Sequence, residues 1–259
     1  MIIGDQEPTV SGGGPASPPP EQAALFAPVL WPGADGAPTE PLTGMRADRD
    51  SDLFWSAPAR GAHELVDGGV EGWRERMRQH AGAACVHLTA TVADSAVARA
   101  QLYALPFVPA AIARERERFG AYATRTMGGN LLTDLLQEEV RRRERVVAID
   151  AEAVVVAAFA GRVPYQLMLV PRTARMRFED DGPSGQELLG DAIGRLSRRL
   201  DGAPIDMWIR TAPQGAEHFC WRIDIAPRPA APHGGLEYGT GVAVNPVAPE
   251  LAAAELREL

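Results

Sequence analysis

The order of predicted elements reads as an α+β fold, and three observations predict it. Strand-like stretches with period-two alternation cluster in groups, such as "IDMWIRT" and "FCWRIDIAP". Long stretches with helical periodicity separate those groups, such as "SGQELLGDAIGRLSRRLDG". Strands and helices do not alternate one for one, which argues against a doubly wound parallel sheet.

The 259 residues carry 46% hydrophobic side chains, enough to bury a sizeable core. No run of 18 apolar residues occurs and "MIIGDQEPTV" has no basic-then-apolar leader, so neither a membrane nor secretion is expected and a cytoplasmic location is the expectation. A net charge of −8 excludes nucleic acid as a partner, since a duplex-binding surface needs a basic field. Every one of the 26 basic residues is arginine. With no lysine there is no Schiff base and no P-loop lysine, and any phosphate is held by arginine, backbone N–H groups or neutral side chains. Two cysteines, Cys85 and Cys220, make no CxxC pair and predict neither a disulfide framework nor a cysteine zinc knuckle.

Residues 1–45 hold nine of the 22 prolines and the run "SGGGPASPPP", which predicts an extended, partly disordered segment. Strands follow at "AHELV" and "ACVHLTAT", flanking a helix at "GVEGWRERMRQHAG". "VPAAIARERERFGAYATRTM" and "LLTDLLQEEVRRRER" read as helices, "RVVAIDAEAVVVAAFA" and "YQLMLVP" as strands. In the clearest helix Ser184 and Glu187 fit a capping box, Leu189, Ile193, Leu196 and Leu200 line one face, and Gly202 ends it. "NPVAPELAAAELREL" closes the chain as a helix with Pro249 near its start. In "FCWRIDIAP" alternation places Phe219, Trp221, Ile223 and Ile225 on a core face, with Cys220, Arg222 and Asp224 on the opposite, site-facing side.

"FCWRIDIAPRPAAPHGGLEYGTGVAVNPVAPELAAAELR", "RVVAIDAEAVVVAAFAGRVPYQLMLVPR" and "AQLYALPFVPAAIARERERF" together resemble the galactose-1-phosphate uridylyltransferase-like family of the histidine-triad (HIT) superfamily, over roughly residues 55–259. The resemblance implies two HIT-like subdomains with antiparallel sheets flanked by helices, at residues 46–128 and 129–259, and a homodimer. It also implies a His-x-His-x-Gln motif whose second histidine takes a uridylyl group from a nucleotide sugar. Here the motif reads Val97-Ala98-Arg99-Ala100-Gln101, so Arg99 stands at the nucleophile position and no catalytic residue is assigned. A guanidinium stays protonated and cannot attack phosphorus. Of the family's second metal site Glu115 is kept, whereas the histidine positions hold Ala174 and Arg222, beside Asp224; no metal and no cofactor are expected.

Simpler readings compete at several positions. His63, His80, His87, His218 and His233 make no ligand spacing, and His63 reads as a structural residue. Ser95 lacks a histidine and a glycine elbow. "RRRER" at 141–145 reads as a solvated helix face, and Cys85 and Cys220 as inert buried thiols. Arg99 and Arg222 stand at positions facing one cleft, where they either clamp an anion or pair internally with Glu115 or Asp224. By the resemblance, Gln101, Glu237, Gly239, Thr240, Gly241 and Asn245 are ligand contacts, although the glycines also suit a bare tight turn.

The functional expectation is a divergent uridylyltransferase-like protein that lacks the uridylyl-histidine step and binds a nucleotide, nucleotide sugar or sugar phosphate. The alternatives are a structural or regulatory pseudoenzyme acting through a protein partner, and an enzyme repurposed to another reaction on the same fold.

Overall fold

The structure is a computed structural model that describes residues 62–66, 69–93, 96–182, 185–228 and 234–259. The proline-rich segment 1–45 and Ser184 lie outside the described residues. Eight strands form one antiparallel sheet in the order β1-β3-β2-β7-β8-β6-β5-β4. They are β1 (Ala62–Leu65), β2 (Cys85–Ala93), β3 (Ala96–Leu105), β4 (Val146–Ile149), β5 (Ala153–Ala157), β6 (Leu167–Pro171), β7 (Ile205–Arg210) and β8 (Arg222–Pro227). The α+β class is therefore as expected, and antiparallel pairing of β7 with both β2 and β8 makes the sheet continuous. "RVVAIDAEAVVVAAFA", expected to be strand, contains two. It folds as β4 and β5 because Asp150 Oδ1 accepts the Glu152 and Ala153 N–H groups, each at 2.7 Å, and turns the chain.

Alternation along each strand splits the sheet into two unlike faces. Leu88, Ala90, Leu102, Met207, Ile209, Ile223, Ile225 and Leu169 point to one face and are all buried. Helices α1 (Gly69–Gln79), α4 (Gln186–Arg199) and α6 (Pro249–Arg257) cover it through Trp73, Met77, Leu189, Leu196, Ala253 and Leu256. Each large side chain buried there contributes roughly 1.5–3 kcal/mol. The clear α4 periodicity holds, with a different start: Gly185 caps it at φ +80°, where a Cβ would come within 2.8 Å of Leu169 Cδ2.

On the opposite face α2 (Ala110–Arg125) and α3 (Leu131–Arg142) cover only one end. Phe119, Leu132 and Leu136 pack there on Val154 and Val156 of β5 and Val170 of β6. Asn130 starts α3 by accepting the Leu132 and Thr133 N–H groups and donates to the Phe219 carbonyl at 3.0 Å, fixing the helix to the segment that enters β8. That segment corrects the alternation read from the sequence. Regular strand begins only at Arg222, so Phe219 joins Cys220 in the α2–α3 cluster, Phe219 stacking at 4.9 Å on Phe119, while Trp221 faces the other core. Burial pushes both thiols, Cys85 and Cys220, up to about 11, as suits inert cysteines.

Two further segments differ from expectation. Gly235–Thr240 forms a short helix, α5, which ends at Gly241 in the left-handed region, φ +73°. "RRRER" is not one helix face: α3 stops at Arg142, and Arg145 is drawn in to Glu139 at 2.7 Å and Glu250 at 2.5 Å. No helix among the described residues is long and apolar enough to cross a membrane.

Candidate functional site

The half of the second face that α2 and α3 leave uncovered is polar by the same alternation that makes the other face apolar. Register places Gln101 of β3, Thr89 of β2, Trp208 of β7 and Asp224 of β8 in one row across four strands. The next row runs Arg99, Thr91, Asp206, Ala226. Onto these rows Tyr103 donates to Gln101 at 3.2 Å, and Asp206 accepts from Thr91 at 3.0 Å and from Arg228 at 2.7 Å. The histidine motif implied by the resemblance thus corresponds to a stretch of β3 with a bulge between Val97 and Arg99, and with Arg99 and Gln101 on the polar face.

At the β8 end, Arg222, Asp224 and Glu115 come together. Arg222 Nη1 hydrogen-bonds Glu115 on α2, and its Nε donates to Asp224 at 3.2 Å. The side chains of Arg222, Glu115 and Asp224 are only 16%, 17% and 9% exposed. Burial works to lower the Arg222 pKa, but the Asp224 and Glu115 carboxylates outweigh it and hold the guanidinium above its ordinary value. This arrangement does not fit a metal. The guanidinium lies between the two carboxylates where a cation would bind and has no lone pair to offer one. The described residues contain no group of three or more His, Cys, Asp or Glu suited to an ion.

Beside this cluster three buried polar atoms have no hydrogen-bond partner: Trp208 Nε1, Arg210 Nε and His87 Nδ1. Arg210 Nε lies 3.7 Å from Asp224, close enough to feel its charge and too far for a hydrogen bond. Burial, then the nearby Arg210 cation, push His87 down to about 4, so its imidazole is neutral at pH 7. Trp208 and Arg210, with Arg222 and Asp224, line a cleft of about 800 Å³. Its other walls are Phe119, Leu132 and Leu135 from α2 and α3, and Phe159 from the β5–β6 loop. A pocket of this kind, apolar walls with a few convergent polar groups, is the usual form of a small-molecule site.

The predicted residues divide into three groups. Glu115, Arg222 and Asp224 meet in the cleft, and for Arg222 the internal pairing foreseen as one alternative is what the structure contains. Arg99 and Gln101 are on the same face but do not line the cleft; β3 is three strands from β8, about 14 Å at the usual strand spacing. Glu237, Gly239, Thr240 and Gly241 belong to α5 and its cap: Glu237 accepts the Val244 N–H at 3.0 Å and Thr240 donates to the Leu236 carbonyl at 2.6 Å. Asn245 is used by the fold, its amide donating to the Gly161 and Val163 carbonyls and its oxygen accepting from Val247, all at 3.0 Å.

His87, Trp208 and Arg210 were missed. The signal was present, since Asp206, Trp208 and Arg210 alternate with Ile205, Met207 and Ile209, and His87 and Thr89 with Val86 and Leu88. The same period-two reading applied to β8 identifies them on β7 and β2.

No family model matches the chain. Among curated proteins it is 27% identical over 168 residues to an ADP-glucose phosphorylase of Arabidopsis thaliana, covering 61% of this chain and 46% of that protein. It is 28% identical over 123 residues to a probable galactose-1-phosphate uridylyltransferase of Drosophila melanogaster, covering 46% and 35%. The chain therefore spans less than half the length of these relatives. Among solved structures it is similar to an ADP-glucose phosphorylase of Arabidopsis thaliana with bound ADP-glucose, at TM-score 0.64 and 21% identity over 77% of this chain and 74% of that one. It is also similar to a uridylyltransferase, at TM-score 0.70 and 17% identity over 98% and 93%. At such identities these two structures establish the fold.

Proposed function

We propose that this chain, a divergent relative of the galactose-1-phosphate uridylyltransferase and ADP-glucose phosphorylase proteins, binds a nucleotide sugar or sugar phosphate against the polar half of its sheet without forming a nucleotidyl-histidine. One observation carries the reading: Trp208 Nε1 and Arg210 Nε are buried donors without acceptors on the wall of the cleft. Each unmet donor costs the free protein about 1–3 kcal/mol, a cost that ligand oxygens would remove. The loss of nucleotidyl transfer follows from Val97 and Arg99, since neither side chain can be a nucleophile. The halves 46–128 and 129–259 both contribute, the first through Arg99, Gln101 and Glu115 and the second through Trp208, Arg210, Arg222 and Asp224. Glu237, Gly239 and Gly241 contact the sugar in this scheme, and Asn245 positions their segment.

Thermal denaturation with ADP-glucose, UDP-glucose and glucose 1-phosphate tests the reading. A ligand at a hundredfold excess over its Kd stabilises by about 2.7 kcal/mol, roughly 5–10 °C for a domain of this size. Failure of all three at millimolar concentration would overturn it. A second reading, a structural or regulatory protein working through a partner, is favoured by the closed Glu115–Arg222–Asp224 cluster, which fills part of the cleft with internal pairs. Co-purification of a partner together with silence toward every sugar phosphate would select it. Consumption of a bound ligand would instead mark an enzyme repurposed on this fold. Light scattering tests the homodimer that the resemblance implies.

A further inference from the structure

The chain is acidic, and nearly all of its described arginines have partners within it. Among the described residues only the guanidiniums of Arg114, Arg118, Arg143 and Arg162 lack a carboxylate, carbonyl, amide or ring partner. Three of these four converge on one depression of about 690 Å³, bordered by Ala111, Arg114, Arg118, Ala160, Arg162 and Gly241. No carboxylate lines it.

The three guanidiniums come from two elements set by the fold. Arg114 and Arg118 are four residues apart on α2 and so project from the same helix face. Arg162 is on the β5–β6 loop, whose backbone is held by the Gln166 side chain accepting the Arg162 N–H at 2.7 Å and by Asn245 donating to the Gly161 carbonyl at 3.0 Å. A Cβ at Gly161 would come within 3.1 Å of the Ala158 carbonyl, so the loop is tight as well as tethered. Like charges gathered without counter-ions in a protein of net charge −8 are the arrangement an anion would stabilise. Ala111, Arg118, Ala160 and Arg162 also border the larger cleft, so the depression and the cleft adjoin.

We infer that Arg114, Arg118 and Arg162 form a phosphate subsite, which takes the phosphate or diphosphate of a ligand whose remaining part lies in the adjoining cleft. The anion assignment stands on these residues alone; the identity of the remaining part rests on the nucleotide-sugar reading. The test is calorimetric titration of the full chain with inorganic pyrophosphate and, separately, with ADP-glucose, using sulfate at equal ionic strength as the control for general salt effects. Wild type is expected to bind pyrophosphate, the triple variant Arg114→Gln, Arg118→Gln, Arg162→Gln to bind it at least tenfold more weakly, and Arg143→Gln to match wild type. The substituted side chains are exposed, and an unchanged urea midpoint verifies that the triple variant is folded. Absence of pyrophosphate binding by wild type, equal binding by the triple variant, or an equal response to sulfate overturns the subsite. Pyrophosphate binding without ADP-glucose binding leaves the subsite standing and removes the nucleotide-sugar reading; the reverse result removes the subsite alone.

Discussion

Arg99 and Arg222 occupy positions where the family resemblance implies histidine, and both lie on the polar face of one sheet, yet their surroundings make them different groups. Arg222 is 16% exposed and is enclosed by Glu115 from α2 and Asp224 from its own strand. Arg99 is exposed at the β2–β3 end, three strands away, and does not line the cleft under α2 and α3. Where a helix covers the sheet, the substituted cation is neutralised and becomes part of the scaffold. Where no helix covers it, the side chain stays at the surface. The identity of the replacement says little by itself; the covering layer decides what the replacement does.

The largest expected effect is on the covered side. Arg222→Met leaves the Glu115 carboxylate buried without its cation, and breaking a buried pair by removing one partner costs about 3–5 kcal/mol. Urea denaturation should show a loss of that order. Arg210, 3.7 Å from Asp224, keeps that carboxylate partly compensated, so the stranded charge is chiefly Glu115. The double variant Glu115→Gln, Arg222→Met should therefore be more stable than Arg222→Met alone. A simple sum of the two single losses would show that Glu115 and Arg222 do not act as a pair.

The next effect belongs to pH. His87 is pushed from 6.5 down to about 4, so the unfolded chain binds a proton that the folded chain refuses between those values. Stability contributed by the neutral imidazole is complete above about pH 6.5 and is lost as pH falls toward 4. The total is on the order of 3 kcal/mol for a shift of this size. Denaturation midpoints of wild type and His87→Asn, compared from pH 7 to pH 4, should diverge in that window, wild type losing more. Parallel curves would mean that His87 already accepts a proton in the fold.

How much of this was legible in the sequence follows from the range of the physics involved. Alternation and helical periodicity are local, and they located the strands and helices, including the α4 face through Leu189, Ile193 and Leu196. The turn at Asp150 is also local, but the apolar run on either side of it masked the signal. Which half of the polar face would be covered was not legible, because it depends on where α2 and α3 dock, a non-local outcome fixed by Phe119, Leu136 and the Asn130–Phe219 hydrogen bond. The separation of Arg99 from Arg222 has the same origin: strand order, with β2 and β7 between β3 and β8, is a property of pairing and not of any one segment. The short helix at Gly235–Thr240 was hidden by its glycines, residues that penalise a helix interior by about 1 kcal/mol each.

Trp208 gives a smaller effect with an informative sign. Trp208→Phe removes the unmet Nε1–H and keeps an aromatic ring, so stability should stay level or rise by up to about 1 kcal/mol. The thermal shift produced by ADP-glucose should shrink at the same time. Opposite movements in stability and binding are the signature of a donor held for a ligand. A loss of both would assign Trp208 to packing alone.

The smallest effect is expected at Arg99, and it bears most directly on the comparison. Its exposure predicts that Arg99→His changes stability by no more than about 0.5 kcal/mol. If the missing imidazole were the only obstacle, this variant would acquire a covalent nucleotidyl adduct on incubation with UDP-glucose or ADP-glucose. It should acquire none. The imidazole would be placed at a β-bulge of the β2–β3 pair, opposite Thr91, about 14 Å from the strand that carries Arg222 and Asp224. Val97, 44% exposed and paired with Val92 beyond the bulge, offers nothing to orient it. In-line attack on phosphorus needs the nucleophile and the phosphate fixed within about 3–3.5 Å, which a side chain alone does not supply. Intact-mass analysis after incubation reads the result directly. An adduct on residue 99 would show that this strand still presents the frame of the transferase and that one guanidinium had silenced it; unmodified protein would place the loss in the whole strand.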